Sequence, residues 1–154
     1  MALRTQLLPS LAAGAKIVLL SGFTPDAYMD ELGKHSNTTM IALLPAALRK
    51  ILFHPKLKRE DLGCVRLCIS GGDYVPADLF ERCREITGIE LTEQCGMTET
   101  GMYAVNPPYG RKKSGSIGLP YYGVQLSIID AKGRDVRWGE SGEIAIKSPF
   151  AMDG

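Results

Sequence analysis

The sequence predicts an α/β fold in which parallel strand-helix units of a doubly wound sheet are followed by a Gly/Pro-rich antiparallel β segment. Three observations predict this class. Short apolar runs alternate with helical patterns over residues 1–105, and glycines and prolines become dense from 106 to 123. Two later stretches then alternate polar and apolar residues as strands do.

The first elements follow from local signals. Leu3 to Ala13 has a helical pattern, and Lys16 to Leu20 is apolar on both faces, which predicts a central parallel strand. Thr24-Pro25 supplies a helix cap followed by a first-turn proline, and Gly33 is expected to end that helix.

Two further strand-helix units are predicted. Thr39 to Leu44 is a strand before a helix that begins at Pro45. The strand Val65 to Ile69 leads into Ser70-Gly71-Gly72, and the next helix runs from Pro76 to Gly88. Such repetition indicates a parallel sheet.

The last part of the chain predicts antiparallel β structure. Gln125 to Asp130 and Glu143 to Lys147 alternate as strands, with a turn at Lys132-Gly133 between them. The chain begins in a helix-like stretch and stops just after a strand, so we expect a fragment of a larger chain. Its expected parts are a partial α/β subdomain, 1–105, and a partial β-rich segment, 106–154.

Composition excludes several function classes. Eighteen basic residues balance 17 acidic ones, which gives no basis for a nucleic-acid partner. No apolar run approaches the length of a membrane span. The four cysteines lack C-x2-C spacing, which favours neither a zinc site nor disulfide bonds, so we expect a reducing cytoplasmic location.

The basic run Arg111-Lys112-Lys113 is interpreted as a solvated loop tip, with a phosphate-contacting role as the alternative.

Open parallel sheets bind ligands just beyond the carboxyl ends of their strands. Two segments of this sequence directly follow predicted strands and so lie at such positions. In Ser70 to Pro76 the glycine pair lets a flat ligand approach the main chain, although a tight turn would need the same glycines. In Gln94 to Glu99, the hydroxyl of Thr98 suits a phosphate oxygen, and the carboxylate of Glu99 suits Mg²⁺. A helix cap or solvated turn is the alternative.

Four segments, in order, resemble motifs of the AMP-binding adenylate-forming ligases, a family that includes acyl-CoA synthetases. Ser70 to Pro76 is similar to the family's Ser-Gly-Gly segment, and Gln94 to Glu99 is similar to Tyr-Gly-x-Thr-Glu. Gly115 to Pro120 resembles Gly-Ser-x-Gly-x-Pro, and Gly139 to Ile144 resembles Gly-Glu-x-Gly-Glu-Leu. The resemblance covers nearly the whole chain and makes 1–105 part of an adenylate-binding subdomain.

The resemblance implies roles for individual residues. Gly72, Asp73 and Tyr74 would line the adenine pocket, and Gln94 and Cys95 would lie against the adenine ring. Gly96 and Met97 would border the acyl tunnel. Thr98 would bind the α-phosphate of ATP, and Glu99 the Mg²⁺ ion. Thr98 and Glu99 are therefore the expected catalytic residues.

The implied reaction has two steps. A carboxylic acid, with a fatty acid favoured and an aryl acid second, would attack ATP to give an acyl-adenylate and pyrophosphate. The thiol of coenzyme A would then capture the acyl group. Cys95 departs from the family's usual aromatic residue, and Tyr74 is a candidate to supply the missing aromatic face. Several family motifs are absent from the 154 residues, so the chain alone is expected to be inactive.

Two other hypotheses remain open. One is a flavodoxin-like or Rossmann-like module that binds a phosphate at Gly71-Gly72, although the G-x-G-x-x-G spacing is missing. The other is a structural fragment that binds nothing tightly. In either case, apolar faces left without partners would make an oligomer possible.

Overall fold

The computed structural model describes residues 3–107, 110, 112–113 and 115–153, with only the backbone of residues 3 and 4. Its helices are a π-helical turn at Leu3–Leu7, α1 (Leu8–Ala12), α2 (Pro25–Lys34), α3 (Pro45–Leu52), a 3-10 turn at Arg59–Leu62 and α4 (Ala77–Thr87). Its strands are β1 (Met40–Ala42), β2 (Leu67–Gly71), β3 (Thr92–Met97), β4 (Gly101–Val105), β5 (Leu119–Pro120), β6 (Gln125–Ile129) and β7 (Glu143–Lys147).

The strands form a five-stranded sheet in the order β1-β2-β3-β4-β5 and a separate β6-β7 pair. β1, β2 and β3 are parallel neighbours, whereas β3, β4 and β5 pair antiparallel. The predicted α/β class and the β6-β7 pairing are therefore confirmed. β5, which lies in the Gly/Pro-rich segment, pairs with β4, so this segment completes the first sheet before the second begins.

The main core lies between β1 to β3 and the helices α2 to α4. Its largest fully buried aliphatic side chains are Leu48, Ile51, Leu52, Leu62, Leu79 and Leu91. Leu79, Cys83 and Ile86 face this core from α4, as their spacing predicts, and Gly88 ends that helix with a φ of +77°. Cys68 and Cys83 are free and buried in the same core, as small apolar residues.

Two predictions about the first elements are wrong. Lys16 to Leu20 forms no strand, and Val18 and Leu19 are exposed. A buried parallel strand needs hydrogen-bonding neighbours and a covering layer, and the described residues place no strand beside the outer edge of β1. Gly33 lies inside α2, which continues to Lys34, because nothing in the glycine itself stops helical hydrogen bonding.

At Lys112 the structure contradicts the prediction that the basic run 111–113 is a solvated loop tip. Its Nζ donates to the carbonyl oxygen of Glu90 at 2.9 Å and to Oγ1 of the buried Thr92 at 2.6 Å. Burial lowers the pKa of this amine. Lys112 therefore fastens its loop to the start of β3, while Lys113 is exposed as predicted and Arg111 lies outside the described residues.

Lys112→Met should lower the free energy of unfolding by about 1–2 kcal/mol, because it leaves the Thr92 hydroxyl and the Glu90 carbonyl without their donor. Urea unfolding of the 154-residue chain measures this change. Lys113→Met is the matched control and should leave the transition unchanged. Equal transitions for both variants would contradict the tethering role.

Candidate functional site

A cleft of about 300 Å³ lies where β1 and β2 end and beside β3. Open parallel sheets bind ligands beyond the carboxyl ends of their strands, and this cleft occupies that position. Its walls combine backbone from the strand ends with apolar side chains. The lining residues are Thr5, Gln6, Phe23, Ala42, Leu43, Leu44, Ala47, Gly71, Gly72, Gln94, Cys95, Gly96 and Met102.

The glycine pair lets β2 and β3 come close at the cleft. Gly71 pairs with Gln94, and a Cβ atom at Gly71 would lie 1.9 Å from the Gln94 carbonyl oxygen. Gly72 has a φ of +82°, in the left-handed region that favours glycine. The pair is therefore required for the shape of the cleft wall.

The cleft wall is anchored by Ser70, which is buried. Its Oγ donates to the carbonyl oxygen of Leu43 at 2.9 Å. The backbone N–H of Leu43 in turn donates to the Ile69 carbonyl at 3.2 Å. These bonds hold the end of β1 against the end of β2, so the apolar residues after β1 are fixed opposite the glycine pair.

Cys95 has a polar partner in the neighbouring strand. Its Sγ lies 2.8 Å from the hydroxyl oxygen of Tyr103, which is largely buried on β4. Burial, together with the hydrogen bond to Cys95, raises the pKa of Tyr103 to about 12, so the phenol stays protonated. The phenol and thiol thus satisfy each other at the position where the resembling family usually has an aromatic ring.

Thr98 and Glu99 lie in the three-residue turn between β3 and β4. Met97 pairs with Gly101, whose φ of +72° completes a tight hairpin. Both side chains are exposed. Within the described part of the chain, the Glu99 carboxylate has no hydrogen bond or ion pair, so its oxygens are available to a ligand.

The cleft brings together only some of the predicted site residues. Gly72, Gln94, Cys95 and Gly96 line it. Outside its lining are Asp73, Tyr74, Met97, Thr98 and Glu99.

Asp73 and Tyr74 form a local turn beyond β2. Asp73 Oδ1 accepts the backbone N–H of Tyr74 at 2.7 Å, and the Tyr74 side chain is 77% exposed. The structure therefore does not place the Tyr74 ring as a wall of the cleft.

Thr5, Gln6, Phe23 and Met102 were not predicted as site residues. They come from the π-helical turn, the loop before α2 and β4. No motif or spacing marks them, because only the folding of distant segments brings them to the same cleft.

Glu93 is a further titratable residue that sequence reasoning missed. Its Oε2 is buried and has no hydrogen-bond partner among the residues that the structure describes, and burial raises the pKa of the carboxyl group. Glu93 precedes Gln94 but is not among the residues that line the cleft.

The residues present fit a magnesium ion that is shared with a nucleotide. Among the described residues, no three His, Cys, Asp or Glu side chains converge as a protein-only metal site. Mg²⁺ held with substrate phosphates usually takes only one or two carboxylates and keeps several waters. The Glu99 carboxylate, which is unpaired within the described part of the chain, meets that requirement.

The profile of the family described as "AMP-binding enzyme" matches residues 1–154. The feruloyl-CoA synthase of an Amycolatopsis species is 31% identical over 149 residues, which are 96% of this chain and 30% of that protein. The long-chain-fatty-acid–CoA ligase of Bacillus subtilis is 30% identical over 94% of this chain and 26% of its own length.

Solved structures of similar fold indicate the same family. ATP-bound MatB from Rhodopseudomonas palustris matches with a TM-score of 0.85 and 31% identity, over 94% of this chain and 28% of that one. The chain thus spans about 30% of the length of the relatives it matches. None of its described helices is long and apolar enough to cross a membrane. A match over every residue, and agreement of fold at 31% identity, show that the chain belongs to the AMP-binding enzyme family of adenylate-forming ligases.

Proposed function

We propose that this chain is an interior segment of an ATP-dependent carboxylic acid–CoA ligase. One observation carries the proposal. The cleft at the strand ends brings Gly72, Gln94, Cys95 and Gly96 together, and β3 runs directly from it into the turn that presents Thr98 and Glu99. A flat base would lie in the cleft, and its phosphates would extend toward that turn.

In this proposal each residue has the role that the resemblance to the family implies. The backbone of Gly72 and Asp73, with Tyr74 at the rim, borders the adenine, and Gln94 and Cys95 lie against its face. The Thr98 hydroxyl donates to an α-phosphate oxygen. Glu99 would hold Mg²⁺, which would neutralise phosphate charge when bound. Gly96 and Met97 border the acyl chain.

The chemistry that these residues support is mainly positioning. A carboxylate oxygen of the acid attacks the α-phosphorus, and pyrophosphate leaves. The hydroxyl of Thr98 stabilises the negative charge on the equatorial oxygens while the nucleophile and leaving group are in line. The thiol of coenzyme A then attacks the acyl carbon, forming the thioester as its proton is lost and AMP leaves. No general base is required, because the attacking carboxylate is already ionised near neutral pH.

The substrate proposed first is a fatty acid, with an aryl acid second. The cleft wall carries Phe23, Leu43, Leu44, Ala47 and Met102, which suit an apolar acyl group. The relatives include one named for a long-chain fatty acid and one named for feruloyl-CoA. We further propose that 1–105 and 106–154 are parts of two subdomains of the ligase. Because all four cysteines are free, we propose a reducing cytoplasm as its location.

Acid-dependent exchange of labelled pyrophosphate into ATP tests the proposal. The complete ligase should catalyse this exchange with a long-chain fatty acid or an aryl acid, and should form a thioester when coenzyme A is added. The 154-residue chain alone should give no exchange, since about 70% of the length of its relatives is missing from it.

Three results would contradict the proposal. Exchange by the 154-residue chain would show that the segment is catalytic by itself. A complete protein that binds Mg·ATP in calorimetry but gives no acid-dependent exchange would instead favour a non-catalytic nucleotide-binding module. A complete protein that does neither would favour a structural role.

A further inference from the structure

The segment after β7 contacts the turn that carries Thr98 and Glu99. Ser148 Oγ donates to the carbonyl oxygen of Thr100 at 3.2 Å. The backbone N–H of Met152 donates to the carbonyl oxygen of Glu99 at 2.7 Å. Two neighbouring carbonyls of the turn are thus bonded by residues about fifty positions later in the sequence.

The contacting segment is itself held in a compact turn by Ser148. The backbone N–H of Phe150 donates to Ser148 Oγ at 3.1 Å, and that of Ala151 donates to the Ser148 carbonyl at 3.2 Å. Ser148 therefore shapes the segment that carries Met152 and also reaches the hairpin directly. Loss of its hydroxyl would remove one contact with the hairpin and weaken the other.

The hairpin needs such support because its own hydrogen bonds end at Met97 and Gly101. The three residues between them carry exposed or half-exposed side chains. A turn with solvent-exposed backbone opens easily unless other contacts hold it. Bonds to the carbonyls of Glu99 and Thr100 restrain the backbone while leaving the Glu99 carboxylate unengaged.

We propose that Ser148 is a positioning residue that fixes the Thr98-Glu99 turn for phosphate and metal binding. The inference rests on the proposed function, because it assumes that Thr98 and Glu99 bind the nucleotide. Ser148 touches neither nucleotide nor metal in this proposal. It acts through the carbonyl of Thr100 and, by way of Met152, through that of Glu99.

The first test is hydrogen exchange of individual amides in the 154-residue chain, followed by nuclear magnetic resonance. In Ser148→Ala the Met152 amide should exchange about tenfold faster, because the segment that carries it has lost the hydrogen bonds of the Ser148 hydroxyl. Ser148→Thr keeps the hydroxyl and should restore protection. Ser127→Ala, an exposed serine on β6, is the matched control and should leave this amide unchanged.

The second test uses pyrophosphate exchange by the complete ligase. Ser148→Ala should lower kcat/KM for Mg·ATP about tenfold and raise the magnesium concentration needed for half-maximal rate, while the KM for the acid stays unchanged. Ser148→Thr should recover most of the activity. A merely structural role would lower active enzyme concentration without changing the magnesium requirement.

The outcomes separate the two proposals. If Glu99→Ala abolishes exchange while Ser148→Ala behaves like Ser127→Ala, the positioning role is overturned and the proposed function stands. If Glu99→Ala leaves exchange intact, the metal role of Glu99 is wrong, and the positioning role is overturned with it. Unchanged protection of the Met152 amide in Ser148→Ala overturns the positioning role whatever the kinetics.

Discussion

Replacing Glu99 by alanine in the complete ligase should lower the rate of acid-dependent pyrophosphate exchange by roughly 100-fold or more, an effect of about 3 kcal/mol on the barrier. The reason is the loss of the unpaired carboxylate at the β3–β4 turn, which we propose holds Mg²⁺ against the nucleotide phosphates. The fold should survive, because the Glu99 side chain is exposed and its carboxylate makes no hydrogen bond or ion pair within the described part of the chain.

A metal titration makes this prediction specific. Glu99→Ala should shift the magnesium dependence of exchange to higher concentration, and Glu99→Gln should resemble it, because an amide oxygen is a much weaker ligand than a carboxylate. Glu81→Ala removes the same charge from the exposed side of α4 and is the matched control. Near-normal turnover of Glu99→Ala would contradict the assigned metal role.

Gly71→Ala should destabilise the chain by about 3 kcal/mol and abolish the nucleotide binding that we propose at the cleft. The added Cβ would lie 1.9 Å from the carbonyl oxygen of Gln94, far inside contact distance. The obstacle is backbone rather than a flexible side chain, so relief requires β2 and β3 to separate. That movement would also displace Gln94 and its neighbours along the cleft wall.

Urea unfolding of the 154-residue chain measures this change. Gly33→Ala is the matched control, because a Cβ at Gly33 meets no heavy atom within 4 Å. In the helix α2, that substitution should stabilise the chain by about 0.5–1 kcal/mol. The two substitutions, Gly71→Ala and Gly33→Ala, should therefore shift the midpoint of urea unfolding in opposite directions. A Gly71→Ala midpoint equal to that of the unchanged chain would contradict the close pairing of β2 with β3.

Local sequence signals predicted the helices well. Thr24 accepts the backbone N–H of Ala27 as the expected cap of α2, and the proline at position 45 begins α3. Spacing also identified the buried face of α4. Such signals work because caps, first-turn prolines and apolar periodicity depend on residues within about one helical turn of each other.

The same local signals failed where the outcome depended on distant partners. The apolar run at Lys16 to Leu20 looks like a strand, but a strand forms only beside another strand. Lys112 looks like a solvated lysine, yet it bonds residues about twenty positions earlier. Its loop brings it back to the start of β3, which no periodicity could indicate.

The sequence by itself determined the family, the strand-helix order from Thr39 onward and the residues most suited to phosphate and metal, because motif chemistry and helix signals are local. Only the tertiary structure decided which of those residues meet. It placed Gly72 and Gln94 to Gly96 in one cleft, paired Cys95 with Tyr103, left Tyr74 exposed and set Ser148 against the Glu99 turn. These contacts join segments far apart in sequence, so they depend on strand register and close packing rather than on local pattern.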